Sequence, residues 1–310
     1  SSRRRHTRFR NVTGVQTCAL PIFVLGASGF IGSAFIRSGS PSDIFTSSRR
    51  GVPGCIAFDA LHHELHQLDG LSAITHVLIL FAEREPDACV LNPAESARLN
   101  VEAALRVITD CVALGMFPIF ASTELVFDGA TGHYTETSVP RPVLEYGRQK
   151  REVERELSAI TPEHLVLRFP KTVGSRRGDR SLFTGWIEEI ERAPHSMRCA
   201  FDQRFSIQRV DDVPAIVKSL VDAEAKGIVH LGDGRGHSRL DLLTMLCSKL
   251  RANELKVPEI EAVSIDDIPF PEPRPHDVSL NTHKLASLTN YEAPSIERIV
   301  DDAIRGCIRS

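Results

Sequence analysis

Ile22–Leu25 (IFVL) is an unbroken apolar run that closes on Gly26. A short apolar run ended by a turn residue predicts a strand covered on both faces. GASGFIG follows, with glycines at 26, 29 and 32, and then an apolar-rich stretch to Ser38 and Gly39 that predicts a helix. Asp43–Thr46 (DIFT), Cys55–Phe58 (CIAF) and His76–Phe81 (HVLILF) read as the second, third and fourth strands. A helix carrying His62, His63 and His66 is predicted between the last two. From Asn100 to Leu114, apolar residues at Val101, Leu105, Ile108 and Val112 keep the period of a helix. Phe117–Ala121 predicts a fifth strand, the segment around Tyr146 to Glu154 a helix, and HLVLRF (164–169) a sixth strand. Strands alternating with helices in this way predict an α/β fold, a doubly wound, mostly parallel sheet of the Rossmann type.

The glycines give that pattern a chemistry. A tight turn after the strand needs a residue without a side chain, a dinucleotide pyrophosphate must approach backbone N–H groups at a helix N-terminus, and the third glycine lets helix and strand pack closely. Gly26, Ser28, Gly29, Phe30, Ile31 and Gly32 are therefore candidate cofactor-binding residues. The second strand leads into Ser47, Ser48, Arg49 and Arg50 with no acid for a ribose diol, so Ser48 and Arg49 are expected to meet a 2′-phosphate. NADP(H) is expected ahead of NAD(H). Asp59, at the tip of the third strand, is placed to hydrogen-bond an adenine amino group.

Ligands in such sheets lie beyond the carboxyl ends of the strands. The fifth strand ends in Ser122, Thr123 and Glu124. Tyr146 and Lys150, four residues apart, share one helix face. An ammonium beside a phenol lowers its pKa, and such a tyrosine can protonate a carbonyl oxygen as hydride arrives. The histidines at 62, 63 and 66 do not have the HExxH spacing, so no metal site is expected.

Composition limits the alternatives. The 310 residues are 42% hydrophobic and 25% charged, with a formal net charge of −3, which fits a soluble enzyme and argues against a nucleic-acid binder. The seven cysteines are scattered, as in a cytoplasmic protein with reduced thiols. No run of apolar residues is long enough to span a membrane, so no membrane association is expected. Residues 1–20 differ from the rest: five of the 37 basic residues fall there and none of the 40 acidic ones, leaving −8 on the remainder. They lack an amphipathic period and an apolar core, and read as a non-native or disordered leader without function.

GASGFIG (26–32), STELVFDG (122–129), YGRQK (146–150) with Glu154, GIVHLGDG (227–234) and RPHDVSLNTHKL (274–285) together resemble the extended short-chain dehydrogenase/reductases of the NAD-dependent epimerase/dehydratase superfamily. Within it the chain is most similar to the dTDP-4-dehydrorhamnose reductase branch and its sugar-nucleotide-binding relatives. The resemblance spans residues 22 to roughly 290. It implies that Thr123, Tyr146 and Lys150 are catalytic, with Lys150 also on the cofactor ribose. Asn100 would support the cofactor side, Ala82 and Phe169 would border the cofactor, and Ser122, Glu124 and Arg274 would meet substrate, Arg274 at a diphosphate. It also implies a cofactor domain over 21–170 and a small C-terminal substrate-binding lobe over 171–310, with 208–232 returning to the main sheet. The helix of Tyr146 is one through which family members form homodimers.

Departures from the branch pattern bear on the substrate. Glu124–Leu125 stands where these reductases carry an acid–tyrosine pair, and Glu83–Arg84 follows Ala82 where small residues are usual. The expected activity is an NADP(H)-dependent reduction of a keto-sugar nucleotide. The alternatives are a sugar-nucleotide epimerase, which keeps its cofactor through the cycle, and an NADP-binding regulatory subunit that modulates a partner. A 4,6-dehydratase would need an Asp–Glu pair where only Glu124 stands.

Overall fold

A computed structural model describes residues 20–39, 44–49, 52, 54–192 and 194–308. The leader to residue 19, Asp43 and Arg50 lie outside the described residues. In chain order the elements are β1 (Ile22–Leu25), α1 (Phe30–Arg37), β2 (Ile44–Ser48), β3 (Ile56–Ala57), β4 (His76–Ile79), α2 (Pro86–Leu91), α3 (Pro93–Ala97), a π-helical segment (Arg98–Ala103) and α4 (Ala104–Ala113). They continue with β5 (Phe117–Thr123), α5 (Glu145–Ile160), β6 (Leu165–Phe169), β7 (Lys171–Val173), α6 (Leu182–Glu191), β8 (Ser196–Ala200), β9 (Arg204–Phe205) and β10 (Ile207–Arg209). The last are α7 (Val213–Asp222), β11 (Gly227–His230), β12 (His237–Ser238), α8 (Arg239–Ala252), β13 (Glu259–Val263), α9 (His283–Thr289) and α10 (Ile296–Ile308).

Seven strands form the main sheet in the order β11-β6-β5-β4-β1-β2-β3, every neighbouring pair parallel. The chain runs outward from β1 to β3, then crosses back to β4 and runs outward on the other side. The switch falls between β1 and β4, where a crevice opens beyond the strand ends. Apolar clusters fill both faces: Phe35, Leu167, Val217 and Leu220 on one, Phe120, Val107, Ile108 and Leu157 on the other. β11 pairs with β6 from Gly227 opposite Leu165, so the segment around α7 re-enters the main sheet. A second lobe packs α6, α8 and α10 around Phe183, Trp186, Leu243, Leu246 and Val300. Its small pairs, β13 with β8, β12 with β9 and β10 with β7, hang from the end of β6.

Three expectations are corrected. β2 runs two residues past Thr46, because Ser47 and Ser48 pair with β1 and β3. The histidine segment is not a helix: it is a turn followed by a single 3-10 turn at Leu65–Gln67, and the Asp59 N–H donates to the His63 ring at 3.0 Å. Among the described residues no cluster of groups could hold a metal. The helix around Asn100 starts earlier, at Pro93, and contains the π-helical segment. One extra residue in a turn rotates the following face by about 100°. The buried positions of α4 are Ala104, Val107, Ile108 and Cys111, beside the expected stripe, while Val112 is exposed.

The deepest polar feature joins the layers. Arg168 on β6 and Glu154 on α5 are each 1% exposed. Arg168 donates from Nε and Nη2 to the two Glu154 oxygens at 2.9 and 2.7 Å. Ser122 on β5 donates to the same carboxylate at 2.6 Å. The remaining guanidinium nitrogen, Nη1, donates to His230 Nε2 on β11 at 3.2 Å, and His230 Nδ1–H donates to the Tyr134 carbonyl at 3.1 Å. That arrangement requires a neutral imidazole. Burial first, and the Arg168 charge second, push its pKa from 6.5 to about 3. The unfolded chain thus takes up a proton that the folded one refuses. Stability from this group is complete above pH 6.5 and falls as pH drops toward 3, by up to ~1.4 kcal/mol per pH unit. Urea midpoints measured across this range should show that loss, and His230→Gln should flatten it; an equally steep decline in the variant would count against the assignment.

Candidate active site

The crevice at the switch point is a cavity of about 1090 Å³ that extends from the glycine turn into the second lobe. At one end β1 stops at Gly26, whose φ of +91° suits glycine and whose added Cβ would sit 3.0 Å from the Phe81 backbone nitrogen. A Cβ on Gly32 would lie 2.3 Å from the Gly26 carbonyl oxygen, so α1 can approach β1 only with glycine there. α1 begins on Gly29 with no side chain capping it, which leaves first-turn N–H groups at the cavity for an anion. This end fits a dinucleotide pyrophosphate.

Gly26, Ser28, Gly29, Phe30, Ile31 and Gly32 all line this cavity, as do Arg49, Asp59, Ala82 and Phe169. Ser48 does not: as the last residue of β2 it is fully buried, and Arg49 is the first side chain to reach the opening. The Asp59 carboxylate accepts from the Leu61 N–H at 3.1 Å, which fixes its turn. Asn100 also stays off the surface. Its Oδ1 accepts from the Glu83 N–H at 2.7 Å, and its Nδ2 donates to the Glu83 carbonyl at 2.9 Å and to Gln149 on α5 at 2.8 Å. The π-helical segment thus clamps the wall segment at Glu83 to the helix bearing Tyr146.

Thr123, Glu124, Tyr146 and Lys150 meet at the middle of the cavity. α5 seats against the turn after β5 through Gly147, where a Cβ would be 2.1 Å from the Leu125 carbonyl oxygen. Lys150 donates to the Ala121 carbonyl at 2.8 Å, and its nitrogen lies 5.8 Å from the centre of the Tyr146 ring. Burial lowers the Lys150 pKa to about 8. The Tyr146 phenol is pushed up, not down as the lysine spacing suggests: burial is the largest cause, and Glu124 and Cys89 add to it. Thr123 donates to Glu124 Oε2 at 2.9 Å and accepts from the Leu125 N–H at 3.2 Å. Burial raises the Glu124 pKa against the opposing pull of Lys171 and the Thr123 bond.

Ser122 lines the cavity, but its hydroxyl proton is given to Glu154. Arg274 does not line the cavity, though its charge acts on Lys171, which does: it pairs with Asp87 on α2 and lies 4.5 Å from the Phe270 ring. Two cations that no sequence motif marked, Lys171 and Arg239, line the end of the cavity toward the second lobe, together with Trp186. Lys171 stands just past Phe169–Pro170 at the end of β6, so the strand-end rule would have found it. Arg239 begins α8 after a long excursion, and no local pattern marks it.

The family described as RmlD substrate binding domain matches residues 20–307. Methionine adenosyltransferase 2 subunit beta of Mus musculus is 26% identical over 283 residues, covering 86% of this chain and 82% of that protein. A probable low-salt glycan biosynthesis reductase of Haloferax volcanii is 26% identical over 295 residues, covering 89% and 94%. The structure of dTDP-4-dehydrorhamnose reductase from Bacillus anthracis in complex with NADP superposes with a TM-score of 0.77 at 17% identity, covering 94% of this chain and 99% of that one. With a doubly wound parallel sheet, a glycine turn at its switch point and a family match over nearly all its length, the chain belongs to the family described as RmlD substrate binding domain.

Proposed function

We propose that this protein is an NADP(H)-linked reductase of a keto-sugar nucleotide. The observation that carries the reading is the meeting of Thr123, Tyr146 and Lys150 on the same cavity as the glycine turn. A reduced nicotinamide supplies the hydride when bound. Tyr146 gives its phenol proton to the carbonyl oxygen as that oxygen becomes an alkoxide, and its raised pKa keeps the proton in place until then. Thr123 orients the same oxygen. To do so it must turn its O–H from Glu124 to the substrate, which a protonated Glu124 permits by becoming the donor of that bond. Lys150, steadied by the Ala121 carbonyl, holds the ribose. Arg49 takes the 2′-phosphate and Asp59 the adenine amino group. Arg274, held by Asp87, does not support the diphosphate role expected for it.

A second reading is a regulatory subunit that binds NADP. The mouse relative named as a subunit of an adenosyltransferase favours it. Retention of the tyrosine and lysine at the cavity favours the enzyme. Turnover separates the two: a stoichiometric partner in a pull-down, together with no oxidation of NADPH across a panel of keto-sugar nucleotides, would establish the subunit and retire the reductase.

Tyr146→Phe is expected to lower kcat by about 10²- to 10⁴-fold while the Kd for NADPH stays within about twofold. Unchanged turnover would remove Tyr146 from the mechanism. Titration by nicotinamide fluorescence should give tighter binding of NADPH than NADH, with Arg49→Ala narrowing the gap roughly tenfold. Equal affinity for the two in the unsubstituted protein would overturn the preference.

A further inference from the structure

The substrate end of the cavity holds two cations that lack an anion. Lys171 and Arg239 both line it, and neither has a carboxylate within 4.0 Å among the described residues. The Lys171 ammonium makes no hydrogen bond among the described residues; it lies 5.7 Å from the centre of the Phe205 ring, and the Glu124 charge acts on it from beyond ion-pair distance. The Arg239 guanidinium stacks 5.4 Å from the centre of the Trp186 ring, and its polar partners are uncharged ones, the Gln203 amide oxygen at 3.5 Å and the Cys199 thiol. Recessed cations without counter-charges are costly, and two together more so. Arg239 also begins α8, a helix of 14 residues, where the helix dipole disfavours a positive side chain. Glu124, Glu85 and Glu189 face these groups more distantly and do not pair with them. Such a site is completed by an anion from the ligand.

Its position says which part of the ligand. Phe169 is in register with Thr123 across β6 and β5, and Lys171 lies two residues beyond. That places Lys171 beside the reacting carbonyl, within about the width of one sugar ring given a rise of roughly 3.3 Å per residue. We propose that Lys171 and Arg239 form a subsite for a carboxylate carried on the sugar ring itself, so that the substrate is a nucleotide-linked uronic acid or a similarly acidic keto-sugar. This rests on the keto-sugar-nucleotide reading above and narrows it.

Trp186 is the only tryptophan in the chain, and Arg239 lies over it, so its emission reports on the subsite without any need for turnover. The probes are glucose and glucuronate, each linked to UDP and to dTDP; the members of a pair differ only in the ring carboxylate. With NADP⁺ saturating, the glucuronate compound of at least one pair should bind ten or more times tighter than its glucose counterpart. Lys171→Met should bring the two within about twofold, and Lys171→Arg should restore the difference. The Kd for NADPH, measured on the same variants, should not move, which certifies that they are folded. Equal binding of both sugars by the unsubstituted protein would overturn the subsite. So would a Lys171→Met variant that weakens both sugars in equal proportion, since the cations would then be holding the diphosphate. If none of the four compounds binds while NADPH does, the sugar-nucleotide reading itself falls, and the subsite with it.

Discussion

The buried pair of Glu154 and Arg168 is the constraint on which the site's geometry depends. Tyr146, Lys150 and Glu154 lie at intervals of four on α5, one stripe facing the sheet. Glu154 is the end of the stripe that is locked, by Arg168 on β6 and by Ser122 on β5. Removing one partner of such a pair leaves a buried charge unmatched and costs about 3–5 kcal/mol, a large part of the roughly 5–15 kcal/mol that holds a domain folded. The same guanidinium continues through His230 to β11 and the Tyr134 segment. Strands from both ends of the crossover and the helix bearing Tyr146 are thus fixed by one charge cluster. Gly147 sets the distance and the charge cluster sets the rotation.

Within that frame, burial governs the proton chemistry more than charge does. An ammonium four residues from a phenol suggests an acidic tyrosine, yet Lys150 is turned to a backbone carbonyl and the phenol is surrounded by protein and by acidic neighbours. Glu124 is in the same position: desolvation raises it and the Lys171 charge only partly opposes that. The centre of the cavity therefore favours neutral forms: Tyr146 and Glu124 hold their protons more firmly, while Lys150 and Lys171 give theirs up more readily.

The fold was readable because its signals are local and redundant. Ile22–Leu25 followed by three glycines specifies strand, turn and helix without tertiary help, and the apolar run at His76 needs cover on both faces wherever it sits. The tyrosine and lysine were readable because a spacing of four has one meaning on a helix. What failed was set by distant partners. The end of β2 is decided by pairing with β1 and β3, so Ser48 was misplaced into a loop. The histidine segment carries Leu61, Leu65 and Leu68 at helical spacing, yet the folded chain packs all three against the core from a turn and a 3-10 turn. The buried face of α4 includes the small Ala104 and Cys111, which pack in the core while Val112 turns outward, and hydrophobicity alone did not single them out. Arg239 is contributed by a helix more than ninety positions beyond Tyr146, a juxtaposition that only the folded second lobe creates.

The π-helical turn at Arg98–Ala103 has a consequence for how such a chain can change over generations. It is a one-residue surplus stored inside an otherwise regular rod, and Asn100 sits within it, holding Glu83 on one side and Gln149 on the other. Loss of a single codon here would return the rod to ordinary winding and swing everything upstream by about 100°. Ser96, which receives the Gln149 amide, would leave its place along with the anchor of the cavity wall. Among lineages descended from a common ancestor, length at this point should be far less free than composition, and a change in it would mark the moment when the pocket was rebuilt for another ligand.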